Sequence, residues 1–403
     1  MMKRYIPWRT FFLLLLLALS VQSCLGIGDN SSSQNFKSVN TGKGQLQVNT
    51  GDNALFKGKI YFTQNRTLLV IDGSRNVKVL TPSKYDVRNP AVSPDGKWIS
   101  FVVRYKYSSD LVYMPINGTH WTILRTGSGQ YVPNPPYPAP LSTHKWYAEP
   151  YWAADSTHLL FLSDFEKLTV NPGVDAQLLD MQVFSISKNN PAQAQDVAYA
   201  AFGDGGDSDP SYRPGAGHSN QVVFTRFQYD STQTQQVIQI YIVDANYIAT
   251  HPNAGYHPGI SLSDPSVALT PPSTSVANMQ PAFSPDGNNL AYVRRIDASH
   301  MGIYVMPVAN NITSNPSSTA VQKTALAPYA KSSLIVAGQF VSQPIWSPDG
   351  KQIAYLYYAN NEFNIWLANV SVNPQTGAYT MNGSPVPLTS GGIDADSRPF
   401  WTN

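Results

Sequence analysis

A short block of sequence recurs six times along this chain and limits what the chain can fold into. The copies read NPAVSPDGKWISFV (89–102), EPYWAADSTHLLFL (149–162), DPSYRPGAGHSNQVVFT (209–225), QPAFSPDGNNLAYV (280–293), QPIWSPDGKQIAYL (343–356) and RPFWTN (398–403). Their prolines stand at positions 90, 150, 210, 281, 344 and 399. A period of several tens of residues, with each unit made of short strands, is the mark of a β-propeller.

Three copies keep an intact Ser-Pro-Asp-Gly: Ser93 to Gly96, Ser284 to Gly287 and Ser347 to Gly350. Proline presets φ for the turn, aspartate hydrogen-bonds the local backbone, and glycine supplies the positive φ that closes it. The pattern predicts hairpin turns, and the turn accounts for the repeated aspartates without catalysis. In two copies the turn is degraded, at Ala154-Asp155-Ser156 and at Arg213-Pro214-Gly215.

After each turn comes an alternating apolar strand, such as Ile99-Phe101-Val103 or Ile353-Tyr355, then a third strand, and often a fourth ending in Leu-Thr. Three strands between Lys59 and Thr81 precede the first full motif, and one inner strand, Pro399 to Thr402, is left over at the end. Joining these predicts an all-β, six-bladed propeller of four-stranded blades, closed by the C-terminal strand completing blade 1. A closed ring leaves no open sheet edge.

The pattern x-Pro-x-(Phe/Trp)-Ser-Pro-Asp-Gly-x-x-(Ile/Leu)-(Ala/Ser)-(Phe/Tyr) at these residues resembles the TolB-like, or PD40 (WD40-like), propeller family. The resemblance covers residues 57–403 and implies fold far more than function, because a fold of this kind hosts many activities.

The first 23 residues read as a lipoprotein signal peptide. Lys3, Arg4 and Arg9 precede the apolar run Phe11 to Leu19, and Val21-Gln22-Ser23 leads into Cys24. Cys24 is the one cysteine in the chain, so disulfides are excluded and lipid attachment at Cys24 is the expectation. Residues 24–56, rich in Ser, Asn, Gly and Gln, read as a flexible tether. These features predict an exported protein held to a membrane by its lipid, with the propeller outside the cytoplasm. The formal net charge is 27 − 25 = +2, which implies no nucleic-acid partner.

The residue before each motif proline is expected at one mouth of the central channel: Asn89, Glu149, Asp209, Gln280, Gln343 and Arg398. All six are polar, and together they form the candidate ligand-binding ring. Motif spacings of 55–71 residues exceed the roughly 40–45 of a minimal blade, so the excess must lie in loops. Gly127 to Ala148 is one such insertion; it is rich in proline and carries Tyr131, Tyr137, Trp146 and Tyr147. Asp164 to Asp180 is another. Exposed aromatics on stiff backbone are good contact residues, so Tyr137, Trp146 and Tyr147 join the candidate site.

No resident metal or other cofactor is implied. Asp204 to Asp209 is acidic but lacks a twelve-residue calcium loop. No His-Glu-x-x-His, Gly-x-Ser-x-Gly or phosphate-binding glycine loop occurs. The reading is a non-catalytic module that binds an envelope or extracellular protein or glycan. The alternative is a surface enzyme acting on glycans or peptides, with Glu149 and Asp209 as a carboxylate pair and Arg398 stabilising charge. A spacer in an envelope assembly is a third possibility.

Overall fold

A computed structural model describes residues 35–133, 135–136, 141–164, 180–200, 205–251 and 265–403. The signal peptide, Cys24 and Tyr137 lie outside the described residues, as do Asp204 and most of the 164–180 insertion.

The six motif copies form the inner strands expected of them. Blade 1 orders Phe400–Thr402, Lys59–Gln64, Thr67–Asp72 and Val77–Val79, so the end of the chain does complete the first sheet. Blade 2 is Asp86–Val92, Trp98–Arg104, Ser109–Pro115 and Thr122–Arg125. Blade 3 is Tyr147–Trp152, His158–Ser163, Gln182–Ser187 and Asn190–Ala198. Blade 4 is Asp207–Tyr212, Gln221–Tyr229, Gln236–Asp244 and Val267–Ala268. Blade 5 is Ala277–Phe283, Asn289–Arg295, Met301–Pro307 and Ser333–Gly338. In blade 6, Val341–Trp346 and Gln352–Ala359 lead to Glu362–Val372, which pairs with both Tyr379–Met381 and Val386–Pro387.

The expected count of six blades is corrected to seven. The seventh is a three-stranded sheet of Phe36–Asn40, Gln45–Asn49 and Thr389–Ser390. It carries no copy of the repeat, which is why counting motifs misses it. Its third strand comes from more than 300 residues away, and its first two lie in the segment read as tether. Leu46 and Val48 are fully buried, packed with Ile60 and Phe62 of blade 1 and Ile365 and Leu367 of blade 6. Asn49 fixes the join: its backbone N–H donates to Leu388 O at 2.9 Å and its side chain to Pro387 O at 2.9 Å. Residues 36–49 are thus part of the folded body.

The core lies between blades. One cluster sets Val102 and Leu111 of blade 2 against Trp152 and Phe161 of blade 3, and equivalent clusters fill the other junctions. Each such side chain contributes about 1.5–3 kcal/mol when buried. Indole N–H groups cross the same junctions: Trp152 donates to Ala91 O and Trp346 to Ala282 O, both at 3.1 Å.

The Ser-Pro-Asp-Gly segments are turns. Ser93 Oγ donates to Asp95 Oδ1 at 2.6 Å, Lys97 N–H to Asp95 Oδ1 at 3.0 Å, and Gly96 N–H to Ser93 O at 2.8 Å. The degraded copy in blade 3 keeps the geometry, with Ser156 taking the left-handed place of glycine at φ 57°.

Candidate functional site

Five of the six ring residues share an unusual backbone. Asn89, Glu149, Asp209, Gln280 and Gln343 are all left-handed, with φ between 49° and 56°. Each falls where the inner-strand register skips, for example between Arg88 and Ala91 or between Ala148 and Tyr151. Two residues there oppose one, which is a β-bulge. The proline supplies the second bulge residue and has no N–H to leave unpaired. Arg398, which precedes the short blade 1 strand Phe400–Thr402, does not share the pattern.

The bulge turns the N–H of its first residue out of the ladder, and in four of the five a neighbouring blade receives it. Asn89 N–H donates to Ser397 Oγ at 2.8 Å, Gln280 N–H to Thr225 Oγ1 at 2.9 Å, and Gln343 N–H to Gln280 Oε1 at 2.9 Å. Asp209 N–H donates to Glu149 Oε2. The ring therefore works first as a chain of bonds linking blade to blade.

Two long side chains reach past their immediate neighbours. Gln343 Nε2 donates to Asp209 Oδ1 at 3.3 Å, from blade 6 to blade 4. Arg398 Nη2 donates to Pro281 O at 2.8 Å, from blade 1 to blade 5. Asp209 is buried and also accepts from Ser208 Oγ at 2.9 Å and Thr225 Oγ1 at 3.2 Å. Glu149 is half-buried. Burial, reinforced by the negative charge of Asp209, pushes its carboxyl well above the ordinary carboxylate range, to about 8.

Two cavities meet at Asn89 and Glu149. The axial one, about 370 Å³, runs from the ring residues Asn89, Glu149 and Arg398 to the turn residues Pro94, Pro285 and Pro348. The other, about 270 Å³, lies on the rim between blades 2 and 3 and is lined by Arg104, Trp146, Met181 and Asp396 as well.

Beside the rim depression, the 127–148 insertion folds back as a ribbon, Tyr131–Val132 against Leu141–Ser142. Tyr131 is 55% exposed and packs edge-on against His144 at 5.5 Å; Tyr107, 48% exposed, lies 6.4 Å from Tyr131. Lys106 sits over the Tyr107 ring at 4.7 Å. Trp146 is half-buried and lines the depression. Tyr147 is core: it is 3% exposed and lies 5.8 Å from Phe161. Sequence reasoning passed over Arg104, Tyr105 and Tyr107, whose signal was an Arg-Tyr-Lys-Tyr run at a strand end where a hairpin must project.

The acidic candidates are committed to structure. Asp207 forms a two-point ion pair with Arg226, at 2.8 and 3.1 Å. Asp394 and Asp396 hold Arg88 at 2.9 and 2.8 Å, Asp86 holds it at 2.8 Å, and Arg104 joins Asp396 at 2.8 Å. This network ties the C-terminal segment to blade 2. Among the described residues no group of three or more His, Cys, Asp or Glu could hold a metal ion, and no helix is long and apolar enough to cross a membrane.

No family model and no curated protein matches the chain. Solved structures do. TolB from Acinetobacter baumannii is similar with a TM-score of 0.51 at 15% identity, covering 85% of this chain and 66% of that one, so the chain spans just under two thirds of its length. A TolB described as putative, from Agrobacterium tumefaciens, gives a TM-score of 0.46 at 12% identity over 85% of this chain and 93% of that one. An oligogalacturonate lyase in complex with manganese gives 0.46 at 10% identity over 89% and 96%. At these identities the likeness speaks for architecture alone: the chain has a TolB-like β-propeller fold.

Proposed function

We propose that this propeller is a binding module, exported and lipid-anchored through Cys24, that takes a protein or glycan partner at its ring face. The observation that carries the reading is the surface made by residues 104–108, 127–133 and 141–146. These segments supply the exposed Tyr107 and Tyr131 and, with Arg104 and Trp146, one side of the 270 Å³ depression. Aromatic area bordered by charge is the composition of energetic contact sites.

Replacing residues 131–142 with Asn-Gly tests it. The ribbon closes at Gln130 and Thr143, whose backbones bond at 2.9 Å, so the ring below is left intact. Crosslinking in native membranes would compare wild type, this variant and Tyr107→Ser/Tyr131→Ser. A partner held by wild type and lost in both, at unchanged melting temperature, supports the reading; a partner retained by both overturns it. The anchor has its own test, since palmitate incorporation should vanish in Cys24→Ala.

One observation favours a second reading. A carboxyl held neutral at Glu149 beside Asp209 is the kind of group that serves as a general acid. A surface enzyme using it would lose turnover of glycan or peptide in Glu149→Gln, and equal turnover would remove Glu149 from any mechanism.

A further inference from the structure

Within the axial cavity Arg398 is a cation with little to hold. Its guanidinium carries five N–H donors. Among the described residues it makes one hydrogen bond, to Pro281 O at 2.8 Å, and no ion pair. Glu149, which lines the same cavity, has its carboxyl pushed up to about 8 by burial and by Asp209 against the opposing pull of Arg398, so near neutral pH it cancels little of that charge. Asp209 itself is taken up by Ser208, Thr225 and Gln343. The cavity that Arg398 lines is bordered by the aromatic Tyr151, Phe283, Trp346 and Phe400 and by several motif prolines, with polar Asn89 and Ser211 among them. Tyr151 and Phe400 pack edge to face at 5.8 Å.

We propose that the axial cavity is a separate binding site for a small organic carboxylate with an apolar ring body, its carboxylate paired to Arg398. A planar guanidinium with free donors matches the two oxygens of a carboxylate, and charge-assisted bonds of this kind are strong away from water. Proline and aromatic faces suit a flat body better than an extended polar one. A volume of about 370 Å³ falls within the size range of small-molecule sites.

The test is titration of the full-length protein in detergent with 2-naphthoate, followed by fluorescence, against the neutral isostere 2-naphthylmethanol. Naphthoate should bind about tenfold or more tightly than the alcohol, the difference that one charge-assisted contact makes. Arg398→Gln should reduce naphthoate to the level of the alcohol. The proposal is overturned if the two ligands bind wild type equally, or if Arg398→Gln, melting like wild type, still prefers the acid. The ligand pair on wild type decides the matter even if the variant folds poorly. The 131–142 replacement should leave naphthoate binding unchanged, so failure here and failure of the rim reading are distinguishable.

Discussion

The backbone N–H of Asp209 donates to the carboxyl of Glu149, and both residues are left-handed. Two bulges in adjacent blades thus meet through one hydrogen bond, and the acceptor is the side chain whose proton affinity is most altered at the ring. The bond itself favours the charged carboxylate, and burial together with the charge of Asp209 outweighs it.

That proton affinity makes stability depend on pH. In the unfolded chain Glu149 should titrate near 4.5, and in the folded protein near 8. Between those values the folded state holds a proton that the unfolded state has released, so stability falls as pH rises. Glu149→Gln keeps an acceptor for Asp209 N–H and removes the titration. At pH 8.5 the variant should melt higher than wild type, by on the order of 1 kcal/mol or about 2 °C after allowance for solvent at a half-buried group. Near pH 5 the two should converge. Parallel melting curves across this range would refute the assignment.

Two glycines at equivalent turns should respond differently to alanine. Gly96 and Gly287 have φ of 69° and 71°. A Cβ on Gly96 meets nothing within 4 Å, whereas on Gly287 it would lie 2.1 Å from Pro214 O. Gly96→Ala should cost only the left-handed strain, roughly 1 kcal/mol. Gly287→Ala should cost at least about 2 kcal/mol more, because the blade 4 turn must move and Arg213 Nε donates to Gly287 O at 2.7 Å. Urea denaturation of the pair measures the difference.

The Arg88 network should matter unevenly. The Arg88 side chain is 7% exposed and Asp394 16%, while Arg104 and Asp396 are 40% and 57% exposed. Asp394→Ala should destabilise by about 2–3 kcal/mol, leaving a buried cation short of one partner. Arg104→Ala should cost under about 1 kcal/mol. Comparable losses in thermal unfolding would contradict this gradient.

Left-handed strain at the ring can be isolated at Gln280. Gln280→Gly and Gln280→Val both remove the acceptor of Gln343 N–H. Only valine must also hold a β-branched side chain at φ 56°. The valine variant should be the less stable by roughly 1–2 kcal/mol, read from chemical denaturation.

Much of the fold was legible because its signals are local. Pro, Asp and Gly fix turns over four residues, and the alternation after them fixes strands, so the repeat-built blades and the closure by Phe400–Thr402 could be read directly. The seventh blade could not. FKSVN and QLQVN are short and polar, and they become strands by packing Leu46 and Val48 between two blades and by borrowing residues 389–390. The candidate ring was read from its place before each proline, but its left-handed backbone was invisible: five residues with four kinds of side chain carry one conformation imposed by the bulge. Tyr147 shows the opposite limit, since its aromatic content says nothing about which way it faces.

The sheet of residues 36–49 with Thr389–Ser390 also has a mechanical consequence. A pull applied at residue 36 would first meet five paired positions against residues 45–49, and then a two-position pairing with 389–390, before reaching the six motif-built blades. Because Leu46 and Val48 fill the space between blades 6 and 1, force arriving there would open the ring at its one motif-free blade, making that blade the mechanical fuse of the propeller.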